Sequence, residues 1–186
     1  AYLGFGGGLL LFSVRWCRMS NHLCPVTMPT MPGNQKATVW IDADACPRAI
    51  RDILCRAAVR AEVSVVFVAN HSLPLPPSPW VRGVQVESGF DVADNYIVQQ
   101  AGPGDLVVTS DIPLAAEVIE KGAQVITSRG EKYTKNNVRQ RLNMRDFMDT
   151  MRSSSVEVGG GPPVLGPRDK QDFANALDSY LAKCAR

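Results

Sequence analysis

The chain has 186 residues, 45% of them apolar, and a formal net charge of +2. That length holds one domain of ordinary size with residues to spare and enough apolar side chains for a core, while the near-neutral balance excludes a protein that coats nucleic acid through a strongly basic global field. Five cysteines, Cys17, Cys24, Cys46, Cys55 and Cys184, form an odd set with no C-x-x-C pair and no histidines at zinc spacing, so a reducing, cytoplasmic setting is expected.

Residues 1–35 join a glycine-rich apolar stretch, Gly4 to Val14, to a proline-, threonine- and methionine-rich one, Pro25 to Asn34, neither of which has a helical or strand period. The apolar run Leu9 to Phe12 is far shorter than the ~20 residues of a membrane span. Ala1 to Phe5 lacks the basic side chain of a secretory signal. A disordered leader is expected here, with the working start at Met28 or Met31 and no membrane partner; a targeting arm is the functional alternative.

Beyond it, strand and helix patterns alternate, as in an α/β sandwich of three layers whose central sheet is mostly parallel and spans one domain, residues 36–186. The pattern predicts a strand over Thr38 to Ala43 and a helix over Pro47 to Ala61, with Ile50, Ile53, Leu54, Ala57 and Ala58 on one face. Val63 to Ala69 reads as a strand buried on both sides. Asn70 to Pro79 is too rich in proline to be helical, and Trp80 after it is expected to cover the core. A strand over Val81 to Glu87, a helix over Asp91 to Ala101, a strand over Leu106 to Ser110, a helix over Pro113 to Lys121 and a strand over Ala123 to Thr127 follow. Helices over Asn137 to Met151 and Arg168 to Ala185 complete the set, the last with a core stripe of Phe173, Leu177, Tyr180 and Leu181.

Carboxylates gather where these elements meet. Asp42 and Asp44 end the first strand at i and i+2, a spacing that points both to one face, where they repel each other unless a cation intervenes. The alternative is that one of them caps the helix after Pro47. Asp91 and Asp94, three apart, open the next helix on one face, and Asp111 closes the strand Leu106 to Ser110. In an open α/β sheet, ligands bind outside the carboxyl ends of the strands, where Asp42, Asp44 and Asp111 all emerge.

The ordered runs Asp42-Ala43-Asp44-Ala45-Cys46-Pro47, Gly89-Phe90-Asp91-Val92-Ala93-Asp94, Val108-Thr109-Ser110-Asp111-Ile112-Pro113-Leu114-Ala115 and Ser128-Arg129-Gly130-Glu131-Lys132-Tyr133 resemble the YaiI/YqxD family of uncharacterised bacterial proteins over about residues 37 to 184. That family is similar to the PIN-like group, whose active members are metal-dependent ribonucleases. The resemblance implies a PIN-like fold with Asp42, Asp94 and Asp111 as catalytic residues and core metal ligands, and with Asp44 and Asp91 in support. Where the family pattern has a further acid directly after the second motif, this chain has Asn95, which weakens a ligand role there.

Aspartates without imidazole or thiolate partners suit hard cations, so Mg²⁺ or Mn²⁺ is the expected cofactor, and phosphodiester hydrolysis is the chemistry such an ion supports. Thr109 or Ser110 beside Asp111 could orient water or phosphate, or simply cap. The segment Arg129 to Arg152 carries net +4 and the remainder −2. Single-stranded RNA is the expected partner, with Arg129, Tyr133, Arg139 and Arg141 as substrate-binding residues; an ordinary solvated helix face is the alternative. Gly159-Gly160-Gly161-Pro162-Pro163 reads as a linker ahead of the last helix, and Cys46 as a packed thiol. Asn70 and His71 either face the site or make a turn.

Two other functions fit parts of the pattern. The Asp42-Ala43-Asp44 spacing is similar to the first motif of haloacid-dehalogenase-type phosphatases, with Asp42 as nucleophile, although Lys121 is poorly placed for their lysine. The other is a non-catalytic PIN-like module that binds RNA or a protein partner. The number of subunits stays open.

Overall fold

A computed structural model describes residues 37–89, 91–153 and 164–184; the leader, Phe90 and the glycine-proline linker lie outside the described residues. Residues from Gln35 onward belong to one compact unit. Its strands are β1 (Val39–Asp42), β2 (Val65–Ala69), β3 (Val81–Gln85), β4 (Leu106–Val108), β5 (Gln124–Ile126) and β6 (Lys132–Tyr133). The helices are α1 (Arg48–Ala61), α2 (Val92–Gln100), α3 (Ile112–Glu120), α4 (Lys135–Ser153) and α5 (Pro167–Cys184).

The strands form one sheet in the order β3-β2-β1-β4-β5-β6, parallel throughout except at β5–β6. The period-2 alternation divides the apolar side chains between two faces. Val39 and Ile41 of β1, with Val65 and Phe67 of β2, join Ile50 and Leu54 of α1 and Phe173 and Leu177 of α5 in one cluster. Val66 and Val68 of β2 and Val107 of β4 join Ile97 of α2, Leu114 and Val118 of α3, and Val138 of α4 in the other. The result is a mixed, mostly parallel α/β sheet with helices on both faces.

The β2–β3 connection crosses without a helix. Parallel neighbours need a long return path, and here residues 70–80 supply it as an extended proline-rich strap, with Leu73, Leu75 and Trp80 packed on the α1/α5 core. Gly83, in the middle of β3, permits this, because a Cβ there would lie 3.0 Å from Leu75 Cδ1.

Most element ends shift by one or two residues from the sequence expectation, β2 starting at Val65 and β4 stopping at Val108 among them. The third strand stops at Gln85. The short β6 was expected to be loop; it pairs Ile126 with Lys132 and Val125 with Tyr133 across a tight turn at Thr127–Glu131. Helix α4 starts at Lys135 rather than Asn137 because Thr134 and Asn137 cap each other: Thr134 N donates to Asn137 Oδ1 (2.6 Å) and Asn137 N donates to Thr134 Oγ1 (3.4 Å). Among the described residues, no helix is long and apolar enough to cross a membrane.

Two polar devices fix the elements that carry the acids. Asp105, just before β4, accepts bonds from Thr38 N (2.8 Å), Trp40 Nε1 (3.1 Å) and Gly102 N (3.0 Å), which locks β4 beside β1. Trp40 in turn meets Tyr96 of α2 edge-on at 6.4 Å between centroids, seating α2 over β1.

Candidate functional site

The strand order reverses between β1 and β4, and the crevice at their carboxyl ends is where an open α/β sheet binds its ligand. Asp42, the last residue of β1, stands on one side of that crevice with only 7% of its surface exposed. Thr109, 3% exposed, follows β4 on the other side. Its hydroxyl donates to Asp42 Oδ2 (3.4 Å) and accepts from Asp111 N (3.0 Å), so one side chain ties the two acids across the switch point. Ala45 N donates a second long bond, 3.4 Å, to Asp42 Oδ1. Burial dominates all of these and pushes the Asp42 carboxyl above the usual range, with repulsion from Asp44 adding to it.

Asp111 precedes α3 in the N-cap position, yet its side chain makes no capping bond. Its Oδ1 is buried and accepts no hydrogen bond; the nearest cation, Arg145 Nη1 on α4, is 3.8 Å away, an ion-pair distance that leaves the oxygen unsatisfied. Asp94 lies in the first turn of α2 and is half-buried. Burial first, then the charges of Asp42, Asp111, Asp91 and Glu117, push its pKa up to about 6. Acids from the ends of β1 and β4 and from the start of α2 thus share one field centred on Asp94. Asp91 holds the N-cap of α2 with a left-handed backbone, φ 56°, a conformation that short polar residues such as aspartate tolerate best.

Asp44 departs from the geometry expected of it. The strand ends at Asp42, so the i, i+2 spacing does not put both carboxylates on one strand face. The chain bends, and Asp44 turns to the end of β2, where Oδ2 accepts from Asn70 N (3.1 Å) and Oδ1 lies 3.0 Å from His71 Nδ1. It caps no helix: α1 begins after Pro47 without a side-chain cap bond.

The donor set suits a hard cation in kind, being all carboxylate oxygen with one buried oxygen unsatisfied. It is not closed: among the described residues, no three carboxylate, imidazole or thiol groups stand together as an ion would require. Asp42, Asp94 and Asp111 share a field without sharing a coordination sphere.

Beside the acids, the β5–β6 turn walls a cavity of about 490 Å³, lined by Ala45, Pro47, Ser110, Thr127, Ser128, Arg129, Glu131, Tyr133, Arg141 and Leu165. Ala45, Ser110 and Ser128 also line the small hollow that contains Asp42 and Thr109, so the two are neighbours along the sheet edge. Arg129 is paired with Asp169 at 2.8 Å. Tyr133 is buried, and the Arg141 guanidinium lies over its ring at 5.3 Å, so the tyrosine is wall rather than an open stacking platform. Arg141 is also paired with Glu131.

Of the other expected substrate contacts, Arg139 does not reach the cavity: two residues from Arg141, it sits about 200° around α4. Arg145, one turn beyond Arg141, faces Asp111 instead. The side chains of Asp149 and Arg152 lie outside the described residues. Lys121 donates its ammonium to Val98 O, so it offers nothing to a phosphatase site at the carboxyl edge. Cys46 is buried and its thiol pushed up to about 12 by desolvation, which makes it an inert packed residue. Arg145, Ser128 and Glu117 complete the neighbourhood without having been singled out as site residues; for Arg145 the signal was its place one turn from Arg141. Thr109, expected either to orient water or phosphate or to cap, bridges Asp42 and Asp111.

No solved structure matches the chain. A UPF0178 protein of Shewanella loihica is 59% identical over 145 residues, covering 78% of this chain and 96% of its own length. A UPF0178 protein of Photobacterium profundum is 58% identical with the same coverage, and one of Proteus mirabilis is 58% identical over 148 residues, covering 80% of this chain and 97% of its own. The family model described as "Uncharacterized BCR, YaiI/YqxD family" matches residues 40–183, from the Trp40 strand through the acids and the β5–β6 turn to the last helix, and the chain therefore belongs to the YaiI/YqxD family.

Proposed function

We propose that this protein is a metal-dependent nuclease of PIN-like architecture that hydrolyses phosphodiester bonds of single-stranded RNA at the β1/β4 crevice, where Asp42, Asp94 and Asp111, not drawn together around an ion in this structure, are the residues that would hold Mg²⁺ or Mn²⁺. The observation that carries this reading is the Asp94 carboxyl, pushed up to about 6 by burial and by the carboxylates of Asp42 and Asp111 at two other junctions, with Asp91 of its own junction and Glu117 of α3 adding to them. Such crowding costs stability, and a cation offsets it. Asp44 and Asp91 stand at the margin as supporting charges.

When bound, the ion lowers the pKa of a coordinated water and offsets charge building on phosphate. The chain's own residues do the rest. Thr109 holds the Asp42 carboxylate and the Asp111 amide in fixed relation. Arg145 balances part of the charge of Asp111. Arg129 and Arg141 supply local positive charge for the phosphate backbone, in keeping with a chain whose global charge is too small to do so.

The test pairs cleavage of labelled single-stranded RNA with filter binding. Asp94→Asn and Asp111→Asn keep side-chain size and remove ligand charge, so cleavage in Mg²⁺ or Mn²⁺ should fall by orders of magnitude. Binding without divalent ion should be equal or stronger, since less negative charge faces the strand. If the wild type cleaves neither RNA nor DNA with either ion, the nuclease reading fails and a non-catalytic RNA-binding module replaces it. A trapped acyl-phosphate on Asp42 would instead select the phosphatase.

A further inference from the structure

The nuclease reading leaves open what the cavity beside the acids accepts. Its volume, about 490 Å³, lies in the range of small-ligand sites, roughly 300 to 1,000 Å³, and is far too small for a duplex. Its walls carry both hydroxyl and apolar groups. Toward the acids stand the hydroxyls of Ser110 and Ser128, 3.3 Å apart, which also border the Asp42 hollow. Ala45, Pro47 and Leu165 add apolar surface, with Ala45 on the side of the acids.

The Arg141 guanidinium also lines the cavity. It lies over the buried Tyr133 ring at 5.3 Å and is paired with Glu131, two contacts that restrain it. Both members of that pair remain about half exposed, 44% for Arg141 and 46% for Glu131. A guanidinium plane is a stacking surface for an unpaired base. Tyr133, which cannot stack because it is covered, acts by orienting Arg141.

We infer that this cavity is a subsite for one unpaired nucleotide adjoining the scissile phosphate, with the base stacked on the Arg141 plane and the sugar-phosphate lying along Ser110 and Ser128 toward the acids. Its place next to the scissile bond rests on the nuclease reading; its affinity for a nucleotide does not. Gly130 gives the wall its rigidity, because its left-handed backbone, φ 81°, packs the turn directly on the α5 backbone at Asp172 and Phe173. Thr127 Oγ1 holds the turn from inside by accepting from Arg129 N (3.3 Å) and Glu131 N (3.2 Å).

The experiment is a chemical-shift titration of the metal-free full chain with adenosine, guanosine, cytidine and uridine 5′-monophosphates, and separately with inorganic phosphate. The nucleotides should shift the amides of residues 127–133 and 141 saturably, and inorganic phosphate at equal concentration should not. Arg141→Ala and Arg141→Lys should each weaken nucleotide binding at least tenfold, because lysine keeps the charge but not the plane. Ser128→Trp, which fills the cavity from its other side, should abolish it. Nucleotide binding unchanged in Arg141→Lys, shifts reproduced by phosphate alone, or shifts centred on the equally large groove between α1 and α5 around Arg60 and Leu177 would overturn the inference. Nucleotide binding without metal-dependent cleavage would sink the nuclease reading and leave the subsite standing. Cleavage without nucleotide binding would do the reverse.

Discussion

Asp94→Asn should stabilise the metal-free protein at pH 7.5 and leave it unchanged at pH 4. The Asp94 pKa rises from 3.8 to about 6 on folding, through burial and the charges of Asp42, Asp111, Asp91 and Glu117. A carboxyl raised by folding favours the fold below its unfolded pKa and loses that contribution as pH climbs through the folded value, so the window runs from about pH 4 to just above 6. Taken whole, that linkage is worth about 3 kcal/mol. Asp94 is only half-buried, and solvent screening reduces the figure to about 1 kcal/mol. Asparagine keeps the volume and removes the charge, so the gain should appear in urea unfolding at pH 7.5, in chelator, and vanish at pH 4. Millimolar Mg²⁺ or Mn²⁺ should then raise the wild-type melting temperature more than that of the variant. Equal stability of the two proteins at pH 7.5, or a gain that persists at pH 4, would refute the electrostatic account of the site.

Gly130→Ala should cost about 3 kcal/mol in the same unfolding assay, because the added Cβ meets backbone, Phe173 N at 2.5 Å and Asp172 O at 2.6 Å, at a φ of 81° that L residues avoid; a loss below about 1 kcal/mol would show that the turn and α5 separate easily. Asp105→Ala leaves Thr38 N, Trp40 Nε1 and Gly102 N without their acceptor and should cost about 2–4 kcal/mol, read by urea unfolding. Arg141→Ala should weaken single-stranded RNA binding and lower its salt slope by about 1, whereas Arg139→Ala, on the far side of α4, should change affinity less than about twofold; filter binding at several salt concentrations separates them.

The parts of the site written in the sequence are those fixed by strand ends. Asp42 and Asp111 could be placed because a buried apolar run that stops on an acid puts that acid at the carboxyl edge, and parallel strands bring their edges together. Asp94 could be placed because the first turn of α2 is marked by Asp91. What depends on a bend or on the direction of a helix was not readable. The i, i+2 rule holds for Asp42 and Asp44 only while the strand continues, and nothing local shows that the chain turns after Ala43 to meet Asn70 and His71. Strand β6 is two residues long, too short for any period. On α4, Val138 and Leu142 mark the inner face, and helical geometry sets Arg139 and Arg141 on opposite flanks of it. Which flank meets the sheet edge depends on how α4 crosses α3, a tertiary fact. Arg145 falls between those flanks on the helix but is 45% exposed, so burial alone gives its charge no need of a partner. It approaches Asp111 Oδ1 to 3.8 Å, an ion-pair distance without a hydrogen bond. Its place one turn from Arg141 is the sequence sign of it, and its meeting with Asp111, the N-cap residue of α3, follows from how α4 packs on α3.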